Sequence, residues 1–141
     1  MTQTQLVLLP AFVHVALVVY LLVRMGTGRI EAVKRRVVKL SEVDTNKQGY
    51  PEAVRNFANN YHNQFELPVL YYAVLAFAMN TGLVDTVLIV LSWGFVGSRL
   101  VHSFVQTGKN VIRTRFKVFG VGLGFLLLMW GWFGLRLFVI G

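Results

Sequence analysis

Asn63, Glu66 and Pro68 stand at the mouth of a long apolar run, in the stretch Tyr-His-Asn-Gln-Phe-Glu-Leu-Pro from Tyr61 to Pro68. Moving an ionised side chain into hydrocarbon costs at least a few kcal/mol, so a carboxylate here faces a partner or a water-filled pocket rather than lipid. The next apolar run carries candidate partners in Arg99, His102 and Gln106. Positions 59, 63 and 66 share one helix face, as do 99, 102 and 106. Counting outward from a turn between Gly82 and Leu83 matches Glu66 in depth with Arg99, Asn63 with His102, and Asn59 with Gln106. In such a ladder carboxylate and guanidinium offset each other's desolvation, while the amides and imidazole satisfy neighbouring donors and acceptors. The same groups suit two roles: a purely structural ladder that fixes helix register, or a binding site for a polar ligand.

Arg113 and Arg115, beyond the second stripe, add either an anion site beside the ladder or ordinary basic loop residues. His14, within the first apolar run, is expected to be a hydrogen-bonded interior residue. His14, His62 and His102 fall on separate elements without a metal-ligand motif, so no metal site is expected. The chain has no cysteine, which rules out thiol catalysis by the protein itself. Any reactive thiol must arrive with a ligand.

The elements that position these residues follow from hydropathy. Of the 141 residues 55% are hydrophobic and 14% charged, and the apolar ones are gathered in blocks over 6–23, 67–84, 87–105 and 118–140. Each approaches the roughly 20 residues that cross about 30 Å of hydrocarbon as a helix. Closed β-barrels need short alternating strands, and these blocks are continuous. The expectation is an all-α membrane protein, a four-transmembrane-helix bundle forming one domain over 1–141, with spans near 6–25, 52–80, 84–107 and 117–140.

The net charge of +8 is segregated into the loops 26–51 and 108–116 and their edges. Both loops are therefore expected on the cytoplasmic side and both termini on the other. Segregated loop charge is a topology signal, and nucleic-acid binding is not expected. The N-terminus lacks a basic leader region, so the first block is expected to be a retained helix.

Met25 to Gly28 reads as the end of the first helix, and Ile30 to Leu40 as a basic segment whose apolar face is Ile30, Val33, Val37 and Leu40. That segment suits an anionic membrane surface, an acidic ligand or simply the topology rule. Pro51 opens a long second helix, polar from Glu52 to Gln64, in which Pro68 predicts a bend where the polar face meets lipid depth. The short turn at Thr81-Gly82-Leu83 makes the flanking helices antiparallel neighbours. Gly120 and Gly124 have the small-xxx-small spacing of close membrane-helix packing.

The segment from Arg55 to Pro68, the four-span layout and the basic loops together resemble the MAPEG family, the membrane-associated proteins in eicosanoid and glutathione metabolism, as a divergent member of bacterial type. The family pairs an Asn with a Glu three residues later near the cytoplasmic end of its second helix, with a Pro shortly after, as Asn63, Glu66 and Pro68 do here. The resemblance implies a homotrimer with glutathione as co-substrate between subunits, a hydrophobic small molecule or lipid at the bilayer, and Asn63 and Glu66 holding the peptide. The glutathione-contacting set it implies is Arg55, Asn59, His62, Asn63, Glu66, Arg99, His102 and Gln106, and Arg113 matches by spacing the arginine that stabilises the thiolate. Asn59 stands where the family usually has Arg, and His102 and Gln106 stand where family enzymes often have tyrosines. The implied function is that of a glutathione transferase or peroxidase of the plasma membrane. The alternative is a non-catalytic lipid- or partner-binding protein of the same fold. An ion pathway is disfavoured, because the polar groups occupy only one half of the bilayer.

Overall fold

A computed structural model describes residues 1–43, 45 and 47–140. The long helices are α1 (Gln3–Lys34), α2 (Glu52–Asn63), α3 (Leu67–Asn80), α4 (Thr86–Thr107) and α5 (Ile112–Leu135). Short 3-10 turns at Leu40–Glu42 and Lys47–Gly49 and a π turn at Arg136–Ile140 complete them, with no strand among the described residues. Segments Gln3–Lys34, Thr86–Thr107 and Ile112–Ile140 are each long and apolar enough to cross a membrane. The fourth expected crossing is divided into α2 and α3, neither of which meets that requirement alone.

Local chemistry sets the ends. Thr2 and Gln5 form a reciprocal capping box at the start of α1. Asp85 caps α4 by accepting from the Leu88 N–H at 2.9 Å. At the end of α3, Gly82 adopts φ +70°, and the Leu83 and Gly82 N–H groups reach back to Ala78 and Met79 in a Schellman closure.

Helix α1 runs through the expected stop at Gly26 and Gly28. Glycine inside a helix costs about 1 kcal/mol relative to alanine, and at Gly28 packing supplies the reason to bear it: a Cβ there would lie 2.8 Å from Val54 Cγ2, so its absence lets α2 approach α1. The apolar face expected for Ile30–Leu40 is not the buried one. Ile30, Val37 and Leu40 are exposed, whereas Ala32, Val38 and Tyr50 are buried together, with Val54 of α2 packed against them.

The main core joins α1, α3, α4 and α5 through Val7, Tyr71, Leu75, Leu88, Phe95, Leu126 and Met129. Helix α4 lies closest to α5, α1 and α2, and its backbone stands off from α3. Large side chains bridge that gap: Tyr71 stacks on Phe95 at 4.7 Å and its hydroxyl meets Ser92 Oγ at 2.9 Å. Within the chain, close packing of α4 and α5 uses Gly94 under Phe125 and Gly122 against Ser98. Gly120 and Gly124, expected to pack, face open space.

Candidate functional site

The polar end is organised by the interruption after Asn63. Pro68 has no N–H to give the Gln64 carbonyl, so α2 stops and α3 begins anew with the proline in its first turn. The bend expected at Pro68 is thus a full break at 64–66, placed before the proline rather than at it. Glu66, with φ −93° and ψ −98°, is the non-helical residue from which α3 starts.

Across the break lies Arg99 of α4, 1% exposed. Its Nη2 donates to the Asn63 carbonyl at 3.1 Å and its Nε to Gln64 Oε1 at 3.3 Å. Glu66 is exposed and forms no ion pair with a described residue, although its charge acts on Arg99 across a distance. The pairing of Glu66 with Arg99 is therefore corrected: counting from the turn assumed one continuous helix packed against α4, and the break carries Glu66 out while turning Gln64 in.

Gln64 is the hub of the buried network. Its Nε2 donates to Asn60 Oδ1 at 2.7 Å, and its Oε1 meets His14 Nε2 at 3.1 Å. Because that oxygen can only accept, a neutral His14 donates from Nε2 and accepts at Nδ1 from the Tyr72 hydroxyl, 2.7 Å away. Asn60 and Ser103 complete the lattice, with Asn60 Nδ2 donating to the Ser103 carbonyl at 3.1 Å and Ser103 Oγ to Asn60 Oδ1 at 3.0 Å. His14 is thus the hydrogen-bonded interior residue expected of it. Asn60, Gln64 and Ser103 were not singled out from sequence. Their signal was there in the i, i+4 spacings 60/64 and 99/103, which place two amides opposite an arginine and a serine.

The two other expected pairings are also shifted. Asn63 Nδ2 donates to Gln106 Oε1 at 3.1 Å, and His102 Nε2 meets the same oxygen at 3.2 Å. Asn63 and His102 thus meet through Gln106, while Asn59 turns to another face. His102 Nδ1 is buried beside the Arg115 backbone without a well-formed bond. Asn63, His102, Arg115 and Phe119 line a pocket of about 240 Å³. Arg115 is held there by Asn110, whose Oδ1 accepts from Nη1 at 3.0 Å.

Arg113 lies apart from this pocket. It is exposed and borders an open groove with Phe116 and Lys117. Arg55, Asn59 and His62 line a separate cleft of about 500 Å³ between α2, the end of α1 and the Lys47–Gly49 turn. Arg55 also ties that turn to α2, its Nη1 donating to the Gln48 and Tyr50 carbonyls at 2.9 and 3.0 Å. Among the described residues no group of three metal-ligating side chains occurs.

The model of the MAPEG family matches residues 7–135, nearly the whole chain. The chain belongs to the MAPEG family. Searches of curated proteins and of solved structures gave no match. Family membership and three apolar helices of spanning length establish an integral membrane protein, and the match spans every residue of the buried network and of both cavities.

Proposed function

We propose that this MAPEG protein is a membrane-bound, glutathione-transferase-like enzyme whose site lies at the polar end of the bundle, facing the cytoplasm. One observation carries the reading: Asn63 and His102, tied through Gln106, share a pocket with Arg115 at the level where the polar part of α2 gives way to apolar α3. An amide and a cation there suit the peptide and thiolate of glutathione, and the surrounding apolar helix faces suit a co-substrate dissolved in lipid. Arg55, Asn59 and His62 on α2 and Glu66 in the break beyond it flank this region, and Arg99 fixes the end of α2 through the Asn63 carbonyl.

A cation beside a thiol lowers its pKa and raises the reactive fraction at neutral pH. The thiolate then forms a bond to a hydrophobic electrophile, which loses its leaving group, or to the terminal oxygen of a hydroperoxide. In the second case the O–O bond breaks, the other oxygen leaves as the alcohol, and the sulfenic acid formed is reduced by a second glutathione to the disulfide and water. Arg113 is assigned the cation's role by spacing and Arg115 by its place in the pocket. The test is calorimetric titration with glutathione together with conjugation of a generic aromatic electrophile, in the parent protein and in Arg113→Ala and Arg115→Ala. The expected result is binding at millimolar glutathione or below and turnover that one arginine variant abolishes. Absence of binding at millimolar glutathione overturns the proposal.

The second reading, a non-catalytic lipid- or partner-binding member, is favoured by Arg99 being engaged by Gln64 and the Asn63 carbonyl and by the neutral Asn59. Glutathione binding without turnover, insensitive to both arginine variants, selects it.

A further inference from the structure

The end of the bundle opposite the buried network carries an apolar groove with a charged mouth. Val87 and Leu91 of α4 and Leu127, Leu128, Gly131 and Leu135 of α5 line about 310 Å³, with Trp132 beside them. Gly131 opens the groove, since a Cβ there would meet nothing within 4 Å. Leu127 and Leu128 are exposed, so in an integral membrane protein this face meets lipid chains or another copy of the chain.

Arg136 stands at the mouth. It follows Leu135 directly and lies one turn past Trp132, whose Nε1 donates to Asp85, two residues ahead of Val87. The contact of Arg136 with Asp85 is loose: Nε lies 3.9 Å from Oδ2, and this buried nitrogen forms no hydrogen bond with a described residue. The side chain stays 34% exposed, so the rest of the guanidinium can take a further partner. Phe138 and Val139, which follow, are apolar and exposed, which keeps Arg136 at the edge of the lipid rather than beyond it. A guanidinium at that depth gains from a close anion, because little water reaches it.

We propose that this groove binds a phospholipid, with one acyl chain between α4 and α5 and its phosphate on Arg136. The lengths agree. From Leu127 to Leu135 the groove runs about 12 Å at 1.5 Å per residue, most of the roughly 15 Å of hydrocarbon in one leaflet, so a chain that fills it brings the phosphate to the level of Arg136. The planar guanidinium offers paired donors to phosphate oxygens, and Asp85 steadies its Nε edge. Charge favours lipid over a second copy of the chain. Of the six Asp and Glu residues only Asp85 lies at this end, the others falling between Glu31 and Glu66, so a second copy has no uncommitted carboxylate to bring to this depth. The site shares no residue with the pocket around Asn63 and does not depend on glutathione binding there.

The experiment is native mass spectrometry of the detergent-solubilised protein titrated with dioleoylphosphatidylglycerol and, separately, with dioleoylglycerol, which has the same chains and no phosphate. One saturable phospholipid per chain is expected, with dioleoylglycerol bound about tenfold more weakly. Gly131→Leu, which fills the groove, and Arg136→Gln, which removes the cation, should each weaken phospholipid binding about tenfold, and Arg136→Lys should restore part of it. Arg24→Gln removes a charge far along α1 and should leave binding intact. Equal affinity for the two lipids would show that phosphate is not read and overturn the proposal. Equal affinity across all variants would reduce the bound lipid to the general annulus, and a changed oligomeric mass in Gly131→Leu would assign the groove to a second copy; either outcome also overturns it. Should Gly131→Leu fail to fold, Gly131→Ala and Arg136→Gln carry the comparison.

Discussion

Arg99 Nη2 donates to the carbonyl oxygen of Asn63 at 3.1 Å, which sets a buried guanidinium against the last residue of α2. That carbonyl would otherwise bond residue 67 in a continuous helix, and the break removes its partner. A cation at a helix C-terminus also meets the negative end of the helix dipole. Arg99 is thus partnered by a helix end and an amide where a carboxylate was expected. Replacing it by Met should destabilise the bundle by about 1–3 kcal/mol, because a buried carbonyl loses its donor. Glu66→Gln, at an exposed unpaired position, should change stability by less than about 0.5 kcal/mol. Thermal unfolding of both variants in one detergent checks the contrast, and equal destabilisation would restore the Glu66–Arg99 pair.

The Tyr72 hydroxyl is read as donor to His14 Nδ1, and His14 Nε2 as donor to Gln64. Tyr72→Phe removes one hydrogen bond and should cost about 1 kcal/mol. Combined with His14→Phe, it should cost clearly less than the sum of the single changes, since the two groups share one interaction. A double-mutant cycle with additive costs would show that they do not meet.

Gly26 and Gly28 are close in sequence and opposite in expectation. A Cβ at Gly26 meets nothing within 4 Å, so Gly26→Ala should stabilise α1 by about 0.5–1 kcal/mol. Gly28→Ala presses on Val54 and should forfeit that gain, and the further change Val54→Ala should recover part of it. Melting temperatures of the three variants decide. A gain at Gly28 equal to that at Gly26 would mean that Val54 yields without cost.

At the opposite end, Asp85 joins the start of α4 to the end of α5. It caps α4 and accepts from Trp132 Nε1 at 2.9 and 3.1 Å, with Arg136 Nε 3.9 Å away. Asp85→Ala loses the cap and the indole bond and should cost about 2 kcal/mol. Trp132→Phe should cost about half of that. Both should leave glutathione titrations unchanged, because the cluster shares no residue with either cavity; a changed affinity would couple the two ends.

How far the sequence announced this arrangement varies by position. The apolar blocks and the interruption near Pro68 rest on strong local signals: three of the four expected spans are helices long and apolar enough to cross a membrane, and the interruption is the break between α2 and α3. The partner of Arg99 was illegible because the helix breaks at 64–66, ahead of Pro68, which turns Gln64 in and Glu66 out, and a neutral amide draws no attention beside a carboxylate. Glycine alone does not end a helix, so Gly26 and Gly28 misled where packing on Val54 decides. The depth count failed for Asn59 and Gln106 because α4 lies against α2 and stands off from α3, which no turn length reveals.

Gln106 Oε1 is the shared acceptor of Asn63 Nδ2 and His102 Nε2. Gln106→Leu leaves both donors without it at a buried site and should destabilise the protein by about 1–3 kcal/mol. If the pocket binds glutathione, affinity should fall about tenfold, equivalent to roughly 1.4 kcal/mol. Gln106→Glu keeps the acceptor and should preserve the Asn63 contact. The arrangement also fixes the His102 tautomer, since Nε2 must carry the proton to donate to Gln106. Nitrogen-15 shifts of labelled His102 should report a protonated Nε2 and a bare Nδ1 in the parent protein. A mixture of tautomers in the parent would mean that Gln106 does not orient the imidazole toward the pocket.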